Sequence, residues 1–178
     1  MRLKNKVALL TAAAGAGIGQ ATARTMAREG AAVVVTDIHD DRARTVAEQI
    51  AGEYGARTLG LKCDVTSTSD VNRVVEVTLQ AFGRVDILFN NAGTNRPTRV
   101  VDITDEVWDL VLATTLTGTF HCCRAVVPAM IRQNGGRIIS VTSVAGFRGL
   151  AGGHAHYAAA KAGVMAFTRC LAMEVAPH

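Results

Sequence analysis

Aromatic residues are scarce: Phe, Trp and Tyr together make up 4% of the 178 residues. Antiparallel sandwiches draw on aromatics, so a chain dominated by Ala, Val, Gly and Leu points instead to buried parallel strands and close helix packing. Charge is also sparse, at 19% against 49% hydrophobic, which excludes intrinsic disorder as the main state. The net charge of +4 and pI near 9.1 come from scattered Lys and Arg with no basic run of five, which argues against nucleic acid as a partner. Cys63, Cys122, Cys123 and Cys170 show no CxxC spacing and no accompanying His cluster. That excludes a disulfide framework and a metal site, and leaves small apolar fillers in a reducing compartment.

No uninterrupted apolar stretch is long enough to span a bilayer. Arg2, Lys4 and Lys6 ahead of the run from Val7 to Ala16 imitate a leader, but Gly15 to Gly19 interrupts it and helix-like sequence follows. The expectation is a cytoplasmic protein without membrane contact. At 18.7 kDa the chain has room for one domain, residues 1–178, around one core.

Five short apolar runs read as strands buried on both faces: Val7 to Leu10, Ala31 to Thr36, Thr58 to Cys63, Val85 to Asn90 and Arg137 to Thr142. Helical stretches separate them: Ile18 to Glu29 closed by Gly30, Asp41 to Glu53 closed by Gly55, and Ser69 to Phe82 closed by Gly83. A long one follows from Thr104 to about Gln133, bent or ended by Pro128, and a last one from Tyr157 to Val175. In Asp41 to Glu53, the spacing of Ala43, Val46, Ala47 and Ile50 puts them on one face. Alternating strands and helices predict an α/β fold, a doubly wound parallel sheet with right-handed crossovers. Ligands of such sheets bind beyond the carboxyl ends of the strands.

After the first strand come Gly15, Ala16, Gly17, Ile18 and Gly19, then a helix. Glycines there let the backbone approach a pyrophosphate and aim free amides at it. The turn is not a strict G-x-G-x-x-G, because Gln20 fills the last slot, and no Gly-Lys-Ser or Gly-Lys-Thr follows to make a triphosphate loop. The second strand ends at Asp37, eighteen positions beyond Gly19, where an acid accepts hydrogen bonds from an adenosine ribose. A carboxylate there repels a 2′-phosphate, and neither Ala16 nor Ile38 supplies a cation, so NAD is favoured over NADP; Arg42 and Arg44, on the next helix, are expected to face solvent. Asp64 and Val65 after the third strand, and Asn90, Asn91, Ala92 and Gly93 after the fourth, extend the polar row, although short polar residues also simply close turns.

The fifth strand leads to Ser143, and fourteen residues later Tyr157 begins a helix with Lys161 one turn on. Spacing i, i+4 puts phenol and ammonium on one helix face. A tyrosine with pKa about 10 is a poor base near neutrality, but a cation about 4 Å away at an effective dielectric near 20 is worth roughly 4 kcal/mol, about three pKa units. A phenol so placed can exchange protons at working pH. An isolated Tyr-x-x-x-Lys also suits an ordinary amphipathic helix, so the other motifs decide.

Together, Gly17-Ile18-Gly19, Asp37, Asp64-Val65, Asn90-Asn91-Ala92-Gly93, Ser143 and Tyr157-Ala158-Ala159-Ala160-Lys161 resemble the short-chain dehydrogenase/reductase family over all 178 residues. The resemblance implies a Rossmann-type fold that binds NAD through the glycine turn, Asp37, Asp64, Val65, the segment Asn90 to Gly93, Tyr157 and Lys161. It also implies hydride transfer between a nicotinamide and a carbon bearing a secondary alcohol or ketone oxygen. By resemblance, Tyr157 is the general acid/base on that oxygen, Ser143 holds it, and Lys161 lowers the Tyr pKa and grips the nicotinamide ribose.

Three departures stand out. Counted back from Gly17 and Gly19, the family's Thr-Gly slots fall on Ala12 and Ala13, so either a residue is inserted after Thr11 or Gly15 replaces the early glycine. Thr115 stands where the family has a catalytic Asn; its hydroxyl is expected to bond its own helix carbonyl and slow the proton relay. The family continues into two further strands where this chain stops at His178, which implies a truncated C-terminus with those strands missing. The alternative function is a catalytically weakened NAD-binding sensor or assembly subunit.

Arg96, Arg99 and Arg148 flank the expected hydride site and suggest an acidic substrate tail, with exposed loop charge as the plainer reading; His154 and His156 read as surface histidines. By family analogy, apolar residues beyond one sheet face, including Leu112, Leu116, Phe120, Val164 and Phe167, imply a homodimer or homotetramer.

Overall fold

The computed structural model describes all 178 residues. Strands β1 (Val7–Leu10), β2 (Ala32–Asp37), β3 (Thr58–Lys62), β4 (Ile87–Asn90) and β5 (Arg137–Ser140) form one parallel sheet in the order β3-β2-β1-β4-β5. Helices α1 (Ile18–Arg28), α2 (Asp40–Tyr54), α3 (Thr68–Phe82), α4 (Asp105–Leu112), α5 (Gly118–Arg132) and α6 (Ala155–Val175) complete the chain. The glycines expected to close helices do so, and a serine cap that the sequence reading did not name starts α3 at Thr68 instead of Ser69. Ser67 Oγ accepts from Asp70 N–H at 3.2 Å to start α3, and Gly55 and Gly83 close α2 and α3 in the left-handed region at φ 64° and 76°.

The chain steps outward from β1 to β2 and β3, then returns to the other side of β1 at β4. This reversal makes β1/β4 the switch point, where the loops after the two strands part and leave a cleft. One face of the sheet packs on α1 and α2 through Met26, Ala27, Val46 and Ile50, the other on α3 and α5 through Val71, Val75, Cys122 and Val126.

Burial on both faces holds for β1, β2 and β4 but not for β3 and β5, whose residues are mostly half-buried or exposed; Ile139 of β5 is 44% exposed. Both are edge strands, where one neighbour is missing and helix cover runs out. The long helical stretch is also more than the sequence suggests. A turn of π-helix, Ala113–Thr117, joins α4 to α5 and Gly118 N–H returns to Ala113 O, while Pro128 is carried inside α5 without ending it. The resulting span Asp105–Arg132 has 28 residues and a window of mean hydropathy 1.4, so by length and composition it could cross a bilayer, against the sequence reading. About two-fifths of that window is buried, with Thr119, Cys122, Cys123, Val126, Ala129 and Met130 packed inside the fold.

Asp86, beside the start of β4, ties the lower end of the sheet. Its carboxylate accepts from Val7 N–H at 2.9 Å, from Arg84 Nε and Nη2 at 2.8 and 2.6 Å, and from Lys6 Nζ at 3.5 Å. Burial alone would raise its pKa; the Arg84 guanidinium and the Val7 N–H outweigh this and hold it below the ordinary value. A carboxylate depressed in the folded state adds stability above its unfolded pKa and loses it as pH falls through the folded one. Asp86→Asn is therefore expected to cost about 1–3 kcal/mol at pH 7. Urea denaturation should show the gap from wild type shrinking below about pH 4; a gap independent of pH would overturn the assignment.

Candidate functional site

Thr11, just past β1, organises the cleft. Its Oγ1 accepts from Asn91 N–H at 2.9 Å and Ala92 N–H at 3.0 Å, and Asn91 Nδ2 donates back to Thr11 O at 3.2 Å and Ala12 O at 2.9 Å. Residues 80 apart in sequence thus lock the glycine turn to the loop after β4. Ala12 takes the left-handed backbone at φ 48°, a conformation that favours the glycine of the family's Thr-Gly pair.

Beyond Ala12 the turn opens. A Cβ on Gly15 or Gly17 would meet nothing within 4 Å, and Gly17 leads into α1 with no capping side chain and no acidic residue in the first turn. Its first N–H groups are unpaired within the helix and carry the positive end of the helix dipole. Gly15, Gly17, Ile18 and Gly19 thus offer room and donors that fit a pyrophosphate. Gly19 is tight instead, since a Cβ there would lie 2.7 Å from Asn91 Nδ2 and 2.8 Å from Ala12 O.

Asp37, at the end of β2, is buried and accepts from His39 N–H at 3.1 Å. Arg42 does not face solvent alone as its position suggested: its Nη2 reaches back from the first turn of α2 to Asp37 Oδ1 at 3.0 Å. Arg44 pairs with Asp40 on the exposed side of that helix. The carboxylate and this cation together fit an adenosine ribose at the edge of the cleft.

The remaining residues of the polar row divide. Asp64 closes a turn, accepting from Thr66 N–H and Oγ1 at 2.9 and 2.7 Å. Val65 is buried, with its carbonyl 3.0 Å from His121 Nδ1. Asn90 points across the sheet, its Nδ2 toward Cys123 Sγ at 3.3 Å and Ser140 Oγ at 3.4 Å, while Ala92 and Gly93 shape the loop beside the cleft.

At the other end, α6 starts at Ala155, two residues earlier than the sequence suggested, so half-buried Tyr157 lies within the first turn. Its hydroxyl makes no hydrogen bond within the chain. Lys161 is 4% exposed; its Nζ donates to Val141 O at 2.5 Å and stands 5.8 Å from the Tyr157 ring centroid. The charge thus faces the ring as well as the carbonyl beyond β5, a cation–π arrangement rather than the direct ion–phenol contact that the spacing predicts. Burial lowers the Lys161 pKa from its ordinary value. Ser143 caps the short turn Val144–Gly146, its Oγ accepting from Ala145 N–H at 3.2 Å.

Thr115 lies buried in the π turn. Its Oγ1 accepts from Thr94 N–H at 3.3 Å and donates to Thr94 O at 3.5 Å, so it bonds the loop after β4 rather than its own helix carbonyl. A Cβ on Gly93 would lie 3.4 Å from this hydroxyl and 3.6 Å from Lys161 Nζ. The end of β4, the kinked helix and α6 therefore converge on one place. Sequence reasoning gave no site role to Thr11 or Val141, named Ala12 only as a family slot and set Arg42 in solvent. Only Thr11 carried a signal, as a hydroxyl ending an apolar strand.

A family model described as short chain dehydrogenase matches residues 6–178. The chain belongs to the short-chain dehydrogenase family. Among its relatives is the (5R,7aS)-5-hydroxy-7a-methyl-1-oxo-2,3,5,6,7,7a-hexahydro-1H-indene-carboxyl-CoA reductase of Mycobacterium tuberculosis, 45% identical over 99% of this chain and 67% of that protein. The 3-oxoacyl-(acyl-carrier-protein) reductase FabG of Escherichia coli strain K12 is 40% identical over 99% of this chain and 70% of its own length. The crystal structure of NAD+-bound xylitol dehydrogenase superposes with TM-score 0.94 at 35% identity, covering 99% of this chain and 67% of that one. As a short-chain dehydrogenase, the protein is an oxidoreductase that works with a nicotinamide cofactor on small molecules. The sensor or assembly-subunit alternative gains no support, since these relatives are named as reductases and a dehydrogenase.

Proposed function

We propose that this short-chain dehydrogenase is an NAD-dependent enzyme that interconverts a ketone and a secondary alcohol on an acyl chain held as a thioester of coenzyme A or an acyl carrier protein. The observation that carries the reading is buried Lys161, bound to Val141 O and set over the Tyr157 ring at the open end of the sheet. When bound, NAD supplies the hydride acceptor, and its reduced form the donor. The chain supplies the rest. Tyr157 gives a proton to the substrate oxygen in reduction and takes one in oxidation; Lys161 sets a buried positive charge over the Tyr157 ring; Ser143 holds the oxygen. Thr115 fixes the loop after Gly93 beside them.

The coenzyme preference rests on Asp37, whose carboxylate suits ribose hydroxyls and repels a 2′-phosphate; Arg42 offsets part of that repulsion. Two relatives named for coenzyme A and acyl carrier protein substrates support the thioester. So do two exposed arginines, Arg96 and Arg148, that have no carboxylate partner, whereas Arg99 is paired with Asp102 at 2.7 Å. Trp108, Leu110 and Phe120, each about two-fifths exposed, suit a contact between copies of the chain.

Reduction of a 3-oxoacyl-CoA by NADH, faster than by NADPH, tests the reading. Arg96→Ala and Arg148→Ala should each raise KM for the thioester about fivefold, with less than twofold change for a neutral ketone. Equal effects on both substrates would remove the phosphate-bearing carrier from the proposal.

A further inference from the structure

His156, immediately before Tyr157, is completely buried, against the surface position expected for it. Its Nε2 lies 3.0 Å from the carbonyl oxygen of Arg96, 60 residues away in the loop after β4. A carbonyl only accepts, so this nitrogen carries the proton and the bond is Nε2–H to oxygen. Nδ1 is then a bare acceptor, and it has no partner. A buried polar ring of this kind costs free energy unless the bond it does make is needed.

The bond belongs to a seam. Thr98 N–H donates to Gly153 O at 2.8 Å, and Asn95 Nδ2 lies 2.9 Å from His154 Nδ1. Gly153 sits at φ 81°, and a Cβ on it would come within 2.6 Å of the Thr98 carbonyl, so only glycine allows the two loops to run this close. On its far side the same loop is fixed at Thr94 by the Thr115 hydroxyl. His154 and Gly153 precede α6; His156 is within its first turn. It is therefore the tie that joins the helix carrying Tyr157 to the loop carrying Arg96.

We infer that His156 is a positioning residue: its bond to the Arg96 carbonyl sets where the Tyr157 hydroxyl stands relative to the loop that borders the substrate. The inference rests on the reading of Tyr157 as the proton carrier. Displacement of a reacting group by about 1 Å costs up to about a hundredfold in rate, so the loss should appear in kcat. The glycine turn and Asp37 lie at the other end of the cleft and should be unaffected.

The test compares three replacements in the intact chain. His156→Gln places an amide Nε2 where the imidazole nitrogen stood; His156→Asn is polar but too short to reach Arg96; His156→Leu keeps the volume and removes the donor. Turnover of a 3-oxoacyl-CoA with NADH gives kcat and KM, and calorimetric titration gives the NADH Kd. The expected result is a kcat loss of about tenfold or more for Asn and Leu, recovery to within about threefold for Gln, and an NADH Kd within about twofold throughout. Should Leu fail to fold, the contrast of Asn with Gln decides alone. Wild-type turnover in the Asn variant, or equal losses in Asn and Gln, would overturn the positioning role while leaving the enzymatic reading intact. A wild-type chain that binds NADH but reduces no oxo thioester would overturn both.

Discussion

Tyr157→Phe is expected to lower kcat by about a thousandfold, far more than it weakens NADH binding, because proton transfer by a positioned side chain is worth two to four orders of magnitude. The substitution is close to a deletion of one atom. The ring remains in the first turn of α6 with Lys161 Nζ 5.8 Å from its centroid, and the hydroxyl that is removed holds no other part of the fold. Lys161 also keeps its own bond to Val141 O, so the ammonium does not collapse into the vacated space. What is lost is the phenolic proton beside the substrate oxygen. Steady-state turnover with a 3-oxoacyl-CoA, alongside calorimetry with NADH, measures both quantities. Turnover within tenfold of wild type would show that another group carries the proton.

The second large effect contrasts two glycines of one turn. At Gly19 an added methyl would lie 2.7 Å from Asn91 Nδ2, 2.8 Å from Ala12 O and 3.0 Å from Ala13 Cα. The first two atoms belong to the strut in which Asn91 Nδ2 donates to Thr11 O and Ala12 O, so the methyl cannot be admitted without breaking it or displacing α1. Gly19→Ala should therefore destabilise the fold by about 1–3 kcal/mol and weaken NADH binding more than tenfold. At Gly17 a methyl meets nothing within 4 Å, and the backbone there is extended at φ 171°, open to any residue. Gly17→Ala should leave the unfolding midpoint within about a degree and still weaken NADH binding, because it fills the space that the pyrophosphate requires. Chemical denaturation and NADH titration of the two variants separate the roles. Unchanged coenzyme affinity in Gly17→Ala would move the pyrophosphate elsewhere.

Much of this site could be read from local chemistry. Gly55 and Gly83 close helices because a left-handed residue ends a helix cheaply only when it lacks a Cβ. The order of motifs from Gly15 to Lys161 survives as a row along the carboxyl ends of the strands. Other expectations changed where the deciding partner is distant in sequence. Asp64 is occupied by its own turn, Asn90 turns toward Cys123 and Ser140, and Thr115 bonds Thr94. His156 has no sequence feature that separates a surface imidazole from a buried one; the Arg96 carbonyl that selects it is set by the paths of two loops.

The amino-acid sequence alone determined the alternation of strands and helices and the glycines that end them, because these depend on backbone preferences and hydrogen bonds within about five residues of chain, while the order of its motifs along the chain determined the family. The tertiary structure decided which strand ends become neighbours. Only the reversal that sets β4 beside β1 brings Thr11 to Asn91 across 80 residues, and only helix packing brings Lys161 to Val141 O and His156 to Arg96. Those contacts arise from the register and crossover of whole elements, which no local pattern of residues encodes.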